Sequence, residues 1–261
     1  MSFKSLSLFA AASLMSVAAM AQTKAPEPAY TLSFNAGLVT DYRFRGLTQT
    51  NYTPAIQGGA DFAHKSGFYA GAWASPVSWV KQFNGATQGD FEVDLYAGFK
   101  GEIAAGFGFD VGLIGYIYPG NNSGAAGTPG AGGVTDANTT EVYGALTYSV
   151  ATLKYSQSTG NFLGFLNSSG SNYIDLSATF DLGGGFSLTP HVGRQVVKGV
   201  AGNLGDYSDF ALTLGKDFGN GLSATLAVYG TDANQAFYAN TNGNTNFIGK
   251  SGAALGLKYS F

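Results

Sequence analysis

Apolar and polar residues alternate along one segment of this chain after another. Residues 30–40 read YTLSFNAGLVT and residues 91–100 read FEVDLYAGFK, with apolar residues mainly at every second position. Successive side chains of a β-strand point to opposite faces, so each segment predicts a strand with one apolar and one polar face. A helix that buries one face does not tolerate this alternation. The pattern recurs at residues 107–118, 142–148, 174–180, 186–192, 210–214, 222–228 and 253–261, which predicts an all-β fold.

The connections between these segments alternate between short and long. Short connections fall at residues 64–67, 101–106, 149–150, 181–185 and 217–221, and long ones at 43–53, 76–89, 119–138, 158–171, 197–206 and 232–247. Bacterial outer-membrane barrels show this asymmetry between periplasmic turns and extracellular loops. These five turns and six loops join about twelve strands, an even number that leaves both chain ends on the periplasmic side. Ten or fourteen strands remain open, because one boundary can shift.

Composition indicates why such strands would close into a barrel. Only 11% of the residues are charged, against about 25% in soluble domains, so part of the surface is expected to meet something other than water. No segment after residue 21 approaches the roughly 18 apolar residues of a membrane-spanning helix. A closed barrel also satisfies every backbone group in lipid. We therefore predict a transmembrane antiparallel up-and-down β-barrel with short periplasmic turns and long extracellular loops. A periplasmic β-sandwich is the alternative.

The two ends of the sequence carry features of export and assembly. Residues 1–21 combine Lys4, an apolar stretch and the ending Ala19-Met20-Ala21, which predicts a cleaved secretory signal; an uncleaved helix is the alternative. Residues 22–29 would then form a short periplasmic segment and residues 30–261 the barrel. Apolar residues alternate up to the last position, and we expect Tyr259 and Phe261 to form the signal that the barrel-assembly machinery reads.

Residues 40–78 contain three closely spaced motifs. They read TDYRFRGLTQT at 40–50, PAIQGGADFAH at 54–64 and SGFYAGAWASPVS at 66–78. This stretch resembles the TorF family of porins, bacterial outer-membrane β-barrels in which a DYRFRG segment precedes a PAxQGG strand and a GFYAGxWAS strand. Pro76 departs from the family pattern, in which a residue such as Asn follows WAS. The resemblance implies an outer-membrane barrel of the porin class and names no solute.

Strand parity selects charged residues for the inside of the barrel. Asp41, Arg43 and Arg45 would share one side near the extracellular mouth, where rings of charge set ion preference. Alternatively, one of the arginines pairs with Asp41 or Asp61 and only holds the first loop. The further residues of inward parity are the acids Asp61, Glu92, Asp94, Asp110, Glu141, Asp175 and Asp209, and the bases Lys100, Lys154 and Lys258. This excess of acids predicts a weak cation preference, unless internal salt bridges plug the lumen.

Several aromatic residues share the inward parity. Stacked rings can guide sugars or other ring-bearing solutes, but rings also simply fill the space between charged side chains. Both interpretations stay open for Tyr69, Trp73, Tyr96, Tyr116 and Tyr143.

The sequence gives little support for a catalytic function. His64 and His191 are the only histidines, and neither has a nucleophile motif or the second ligand of a zinc site nearby. The absence of cysteine excludes disulfides and thiol-ligated metals. We predict no catalytic residue, cofactor or metal.

The predicted function is passive diffusion of small hydrophilic solutes or ions through the outer membrane of a Gram-negative bacterium. A closed structural or adhesive barrel is one alternative, and a lipid-modifying enzyme is another. The expected partners are outer-membrane lipid and lipopolysaccharide, the barrel-assembly machinery and small hydrophilic solutes. A net charge of −3 gives no reason to expect nucleic acid.

Overall fold

The structure, a computed structural model, describes residues 28–239 and 246–261 and consists almost entirely of β-strands. The strands are β1 (Tyr30–Val39), β2 (Arg43–Phe44), β3 (Leu47–Thr48), β4 (Ala55–His64), β5 (Phe68–Pro76), β6 (Phe91–Ala104), β7 (Phe107–Ile117), β8 (Thr139–Tyr148), β9 (Ala151–Ser158), β10 (Asn172–Ala178), β11 (Phe180–Gly183), β12 (Phe186–Val196), β13 (Tyr207–Gly219), β14 (Leu222–Thr231) and β15 (Gly252–Ser260). A four-residue helix, α1 (Trp79–Gln82), and a 3-10 turn (Ala201–Asn203) lie in connections. Within the described residues, no helix is both long and apolar enough to cross a membrane. The predicted export signal, residues 1–21, lies outside the described residues.

Thirteen of these segments form one antiparallel sheet that closes on itself. β10 and β11 both pair with β12 and are separated by Thr179 alone, so they are two parts of one strand. The pairing of β1 with β15 closes the ring. The result is a closed barrel of twelve strands, which confirms the predicted fold class and strand number. β2 and β3 pair only with each other, inside the first loop.

The connections differ sharply between the two ends of the barrel. At one end, which we call the short-turn end, β8 passes to β9 through residues 149–150 alone. At the other, the long-loop end, residues 118–138 join β7 to β8. Tyr30 pairs with His64 beside a short turn, so the described chain starts at the short-turn end. The alternation agrees with the prediction from the sequence.

The outer face of the barrel is apolar along its length. Leu95, Leu176 and Leu226 lie near the middle of their strands and are 48%, 48% and 44% exposed. Exposed aromatic residues gather next to the short turns: Tyr30, Phe68, Phe99, Phe107, Tyr148, Phe186, Phe218 and Tyr259. An apolar belt bordered by aromatic residues is the surface that a barrel presents to lipid.

The two buried apolar clusters lie at the long-loop end and combine loop residues with residues at the adjoining ends of the wall strands. One cluster joins Val77, Trp79, Val80, Ala86, Tyr116, Tyr118 and Ala137, and a second joins Leu47, Tyr207, Ala233, Tyr238 and Ile248. Phe83 packs against both clusters. We call these two clusters with Phe83 the loop cap. The long loops therefore pack into one apolar layer over the long-loop end.

Candidate functional site

The first loop folds into the barrel and forms a hairpin there. β1 ends at Val39, and β2 and β3 are joined by Arg45 and Gly46. Both tip residues have positive φ, 48° and 78°, as in the type I′ turn that suits a two-residue hairpin. A Cβ atom on Gly46 would lie 2.8 Å from Asp209 Cβ and 2.6 Å from Thr231 Cγ2. Glycine is therefore required where the hairpin tip meets the wall at β13 and β14.

Arg45, at the tip of this hairpin, reaches two strands of the barrel wall, β8 and β12. Its Nη2 lies 2.7 Å from Glu141 Oε2 on β8, and its Nη1 donates to Gln195 Oε1 on β12 at 2.7 Å. Glu141 and Gln195 are 1% and 0% exposed. Burial by itself lowers the pKa of Arg45, but Glu141, with smaller contributions from Tyr116 and Tyr207, raises it above its ordinary value. The guanidinium stays charged and ties the hairpin to β8 and β12.

The other two charged residues of the first loop pair with each other. Arg43 Nε lies 2.5 Å from Asp41 Oδ2, and Thr48 donates to the same carboxylate at Oδ1. The strand parity from which we grouped Asp41, Arg43 and Arg45 is wrong, because the chain leaves the barrel wall at Val39 and bends at Arg45. All three residues nevertheless lie inside. The Asp41–Arg43 pair agrees with the alternative in which an arginine holds the loop, and their role in selectivity stays a prediction.

The remaining predicted acids all lie on the inner face, but in separate groups. Tyr96 donates to Asp61 at 2.5 Å, and Tyr69 donates to Asp110 at 2.5 Å. Glu92 accepts a hydrogen bond from Tyr42 of the first loop at 2.8 Å, with Asp94 next to it on β6. Most of these acids therefore have tyrosine hydroxyls as donors.

Asp175 and Asp209 flank one histidine. His191 Nε2 lies 2.5 Å from Asp175 Oδ2, and His191 Nδ1 lies 3.6 Å from Asp209 Oδ1. Tyr173 donates to Asp209 Oδ2 at 2.9 Å. These contacts form a closed polar group on β10, β12 and β13 without a serine or cysteine in it.

The lysines are distributed unevenly over the lumen. Lys100 and Lys154 lie over the rings of Tyr69 and Tyr143, at 5.4 and 4.0 Å. Lys258 is exposed and lines a cavity near β1. The aromatic residues of inward parity thus serve mainly as partners of charged side chains, except Trp73, whose ring meets Tyr42 at 5.3 Å.

A cavity of about 570 Å³ occupies the lumen between the first loop and the short-turn end. Ser223, one residue into β14, lines it near a short turn, and Tyr42 bounds it on the side of the first loop. Asp61, Asp94 and Lys258 are its charged lining residues. The short-turn half of the lumen is therefore accessible to water, whereas the loop cap and the Arg45 hairpin fill the long-loop half.

Sequence reasoning missed three contributors to this site. Tyr42 and Gln195 touch the charged groups, and Trp79 begins the helix that packs on the first loop through its backbone N–H to Gln49 O at 3.2 Å. Tyr42 lies in the DYRFRG motif, and that motif could have pointed to it. No sequence feature pointed to Gln195 or Trp79, because their contacts depend on where the first loop enters the barrel.

In the part of the chain that the structure describes, the residues that bear on metal binding and catalysis are the possible metal ligands and the two histidines. No group of three or more His, Asp or Glu residues there could hold a metal ion. His64 Nδ1 meets Ser66 Oγ at 2.8 Å in an exposed turn, where the serine backbone N–H also points at the ring. This pair stabilises the turn locally.

The last residues lie at the seam of the barrel. Phe261 exchanges backbone hydrogen bonds with Phe34 at 2.8 and 2.9 Å, and the two rings stack at 5.9 Å. Tyr259 stacks on Phe261 at 5.8 Å on the outer face. The residues expected to form the assembly signal thus also close the ring.

The fold is similar to solved porins. The KdgM porin, in a structure described as a complex with disordered oligogalacturonate, matches with a TM-score of 0.53 and 8% identity, covering 88% of this chain and 98% of that one. The NanC porin matches with a TM-score of 0.53 and 10% identity, covering 88% and 99%. At such identities the likeness concerns the fold alone. No curated protein matches the sequence. Residues 23–261 match the family described as "Bacterial protein of unknown function (Gcw_chp)", and the chain therefore belongs to the Gcw_chp family.

Proposed function

We propose that this protein is an outer-membrane channel for passive diffusion of small hydrophilic solutes or ions. The observation that carries the proposal is the 570 Å³ cavity, a polar and charged space inside a closed barrel whose outer face is apolar. A barrel that only needed to stay in lipid could fill its interior with packed side chains. The TorF resemblance and the porin-like fold support the same class.

The first loop would be the constriction of this channel. Its hairpin crosses the lumen, and Arg45 holds it to β8 and β12. Passage then requires solutes to move beside the hairpin or the hairpin to shift. Rings and pairs of charge at a constriction determine which ions pass. Because acids outnumber bases on the inner face, we propose a weak preference for cations.

The second candidate is a closed barrel with a structural or adhesive role. The loop cap and the Arg45 contacts favour it, since both close the long-loop half in the described conformation. An enzyme embedded in the outer leaflet is less well supported, because the two histidines lack a buried nucleophile beside them.

Planar bilayer recordings of the purified protein separate these candidates. A channel gives discrete conductance steps, and Arg45→Ala should make them larger or more frequent by releasing the hairpin. Arg194→Ala is the matched control, since this arginine is exposed and lies 3.9 Å from its partner Asp206. Recordings of both the natural protein and Arg45→Ala that stay at the lipid baseline would support the closed barrel instead.

We further propose that Tyr259 and Phe261 are read by the barrel-assembly machinery, which places the barrel among outer-membrane lipid and lipopolysaccharide. Deleting Phe261 removes its stacking on Phe34 and the apolar end of β15. The expected result is accumulation in the periplasm and a lower yield in the outer membrane, measured by fractionation. An unchanged outer-membrane yield would show that this residue is not the signal.

A further inference from the structure

The cavity beside the first loop is lined by aromatic rings and by the buried acid Asp94, which with its neighbour Glu92 has no ion-pair partner among the described residues. Glu92 and Asp94 are neighbours on the inner face of β6, and only 1% and 8% of their surfaces are exposed. No lysine, arginine or histidine of the described residues forms an ion pair with either one. A buried carboxylate is costly unless a cation or several donors compensate it.

The hydrogen bonds at these two acids are unequal. Glu92 receives the Tyr42 hydroxyl at 2.8 Å. Burial, then the charges of Glu92 and Asp94, raise the pKa of Tyr42 well above its usual value, so this hydroxyl remains a donor. Asp94 has one buried oxygen, Oδ1, without a hydrogen-bond partner among the described residues, and its side chain lines the cavity. Glu92 does not line the cavity, so Asp94 is the acid of this pair that a ligand in the cavity can contact.

Aromatic rings border the same space. Tyr42 and Trp73 meet edge to face at 5.3 Å, and both line the cavity together with Tyr96. The faces of such rings attract cations, most strongly when the cation carries alkyl groups that also need apolar contact. The volume of 570 Å³ falls within the range of about 300–1,000 Å³ that small-molecule sites occupy.

We propose that this cavity binds a small organic cation of the ammonium class. Its charged end would lie at Asp94, and its alkyl groups would contact Trp73 and Tyr42. This proposal depends on the proposed channel function in one respect: the site would lie on the path of the solute. An inorganic metal ion fits less well, because no group of three ligand residues exists in the described residues. An anion also fits less well, because Asp61 and Asp94 would repel it and Lys258 is the one basic residue among the described residues of the cavity lining that would attract it.

Tryptophan fluorescence of the whole protein in detergent tests the site. The sequence has two tryptophans, so Trp79→Phe leaves Trp73 as the single reporter. Choline is the probe, and its neutral carbon analogue, in which a carbon atom replaces the nitrogen, is the matched control ligand. Choline should change the emission saturably, and the analogue should bind about tenfold more weakly, a difference of about 1.4 kcal/mol. Equal binding of both, or no saturable change with choline, would overturn the proposal.

Two Asp-to-Asn substitutions test which carboxylate binds the charged end of choline. Asp94→Asn should weaken choline binding about tenfold and leave the neutral analogue unaffected, since only the charged end loses its partner. Asp110→Asn, on the inner face but outside the cavity lining, should change choline binding by less than about twofold because distant charges are screened. An Asp94→Asn variant that folds and binds choline like the parent contradicts the assignment. If Asp94→Asn does not fold, the comparison of the two ligands still decides.

Failure of this proposal can be distinguished from failure of the channel. Conductance without choline binding would remove the cation site and leave the channel. Choline binding without conductance would remove the channel and leave a cation site in a closed barrel.

Discussion

In the long-loop half of the lumen, Arg45 is buried and bonds to buried protein partners, whereas in the short-turn half Asp61 and Lys258 line a water-accessible cavity. Arg45 meets Glu141 and Gln195 under the loop cap, with nearly no exposed surface. Lys258 and Asp61 line the water-accessible cavity, and Lys258 is exposed. Inward-facing charged residues are therefore buried in one half of the lumen and exposed to water in the other. The difference arises because the hairpin excludes water from the long-loop half.

This difference in exposure to water determines how much each ion pair contributes to the stability of the protein. A charge in a dry site must find its partner inside the protein, and losing that partner leaves an uncompensated ion. A charge beside bulk water loses little when its partner goes, because water replaces it. The two halves should consequently respond very differently to identical substitutions.

The largest effect is expected for Arg45→Ala. It leaves Glu141 buried with no cation, which should lower the free energy of unfolding by about 3–5 kcal/mol. Urea unfolding in detergent or lipid measures it. Lys258→Ala, which removes a cation from the wet half, should cost less than about 1 kcal/mol.

A double variant sharpens the Arg45 comparison. Arg45→Met with Glu141→Leu removes both charges and keeps similar volume, so it should recover most of the lost stability. Equal costs for Arg45→Ala and Lys258→Ala would mean that water reaches both halves and that the contrast between them is false.

The next largest effect is expected on the outer face of the barrel, because the comparison of the two lumen halves assumes that inner and outer faces are assigned correctly. Leu176→Arg places a charge on the outer face near mid-strand and should cost roughly 2–4 kcal/mol in a bilayer. Ser177→Arg, the neighbour on the inner face, should be tolerated, since Ser177 faces the lumen beside Asp175 and His191. Folding yield into lipid vesicles measures both. Similar losses at the two positions would reverse or refute the assignment of faces.

The outer face and the strand number were predictable because lipid imposes one requirement on every strand. Alternation of apolar residues, the short turns and the long loops are all local in sequence, so a segment such as residues 91–100 reveals its own conformation. The same parity placed Asp61 and Glu141 inside correctly.

The first loop was not predictable in the same way. Residues 40–45 continue the alternation of β1, and nothing local shows that the chain leaves the wall at Val39. The hairpin depends on contacts distant in sequence, above all Arg45 with Glu141 and Gln195. Parity also cannot tell which half of the lumen is dry, because that follows from how six loops pack together.

A smaller effect should come from neutralising acids at the border of the two halves. Glu92→Gln with Asp94→Asn removes the negative charge that this acidic pair carries near the first loop, so reversal potentials in a salt gradient should shift away from potassium. High salt should weaken the effect, since screening shortens to about 3 Å at 1 M. Lys100→Gln, on the same strand nearer the short turns, should shift the potential the opposite way. A clear anion preference in the natural protein would mean that Arg43 and Arg45 control the narrowest point.

The smallest effect is expected for Trp79→Phe in the dry half. Trp79 Nε1 is buried without a hydrogen-bond partner among the described residues, and such a group costs about 1–3 kcal/mol. Removing it should offset most of the lost apolar contact, so the unfolding free energy should change by less than about 1 kcal/mol. Tyr238→Phe is the matched control in the loop cap, because the Tyr238 hydroxyl donates to Gly205 O at 2.6 Å and its loss leaves that oxygen unpaired. Urea unfolding should therefore find Tyr238→Phe more costly than Trp79→Phe. The reverse order would mean that the indole N–H is satisfied, by water or by another group, and that the loop cap is less dry than the Arg45 contacts imply.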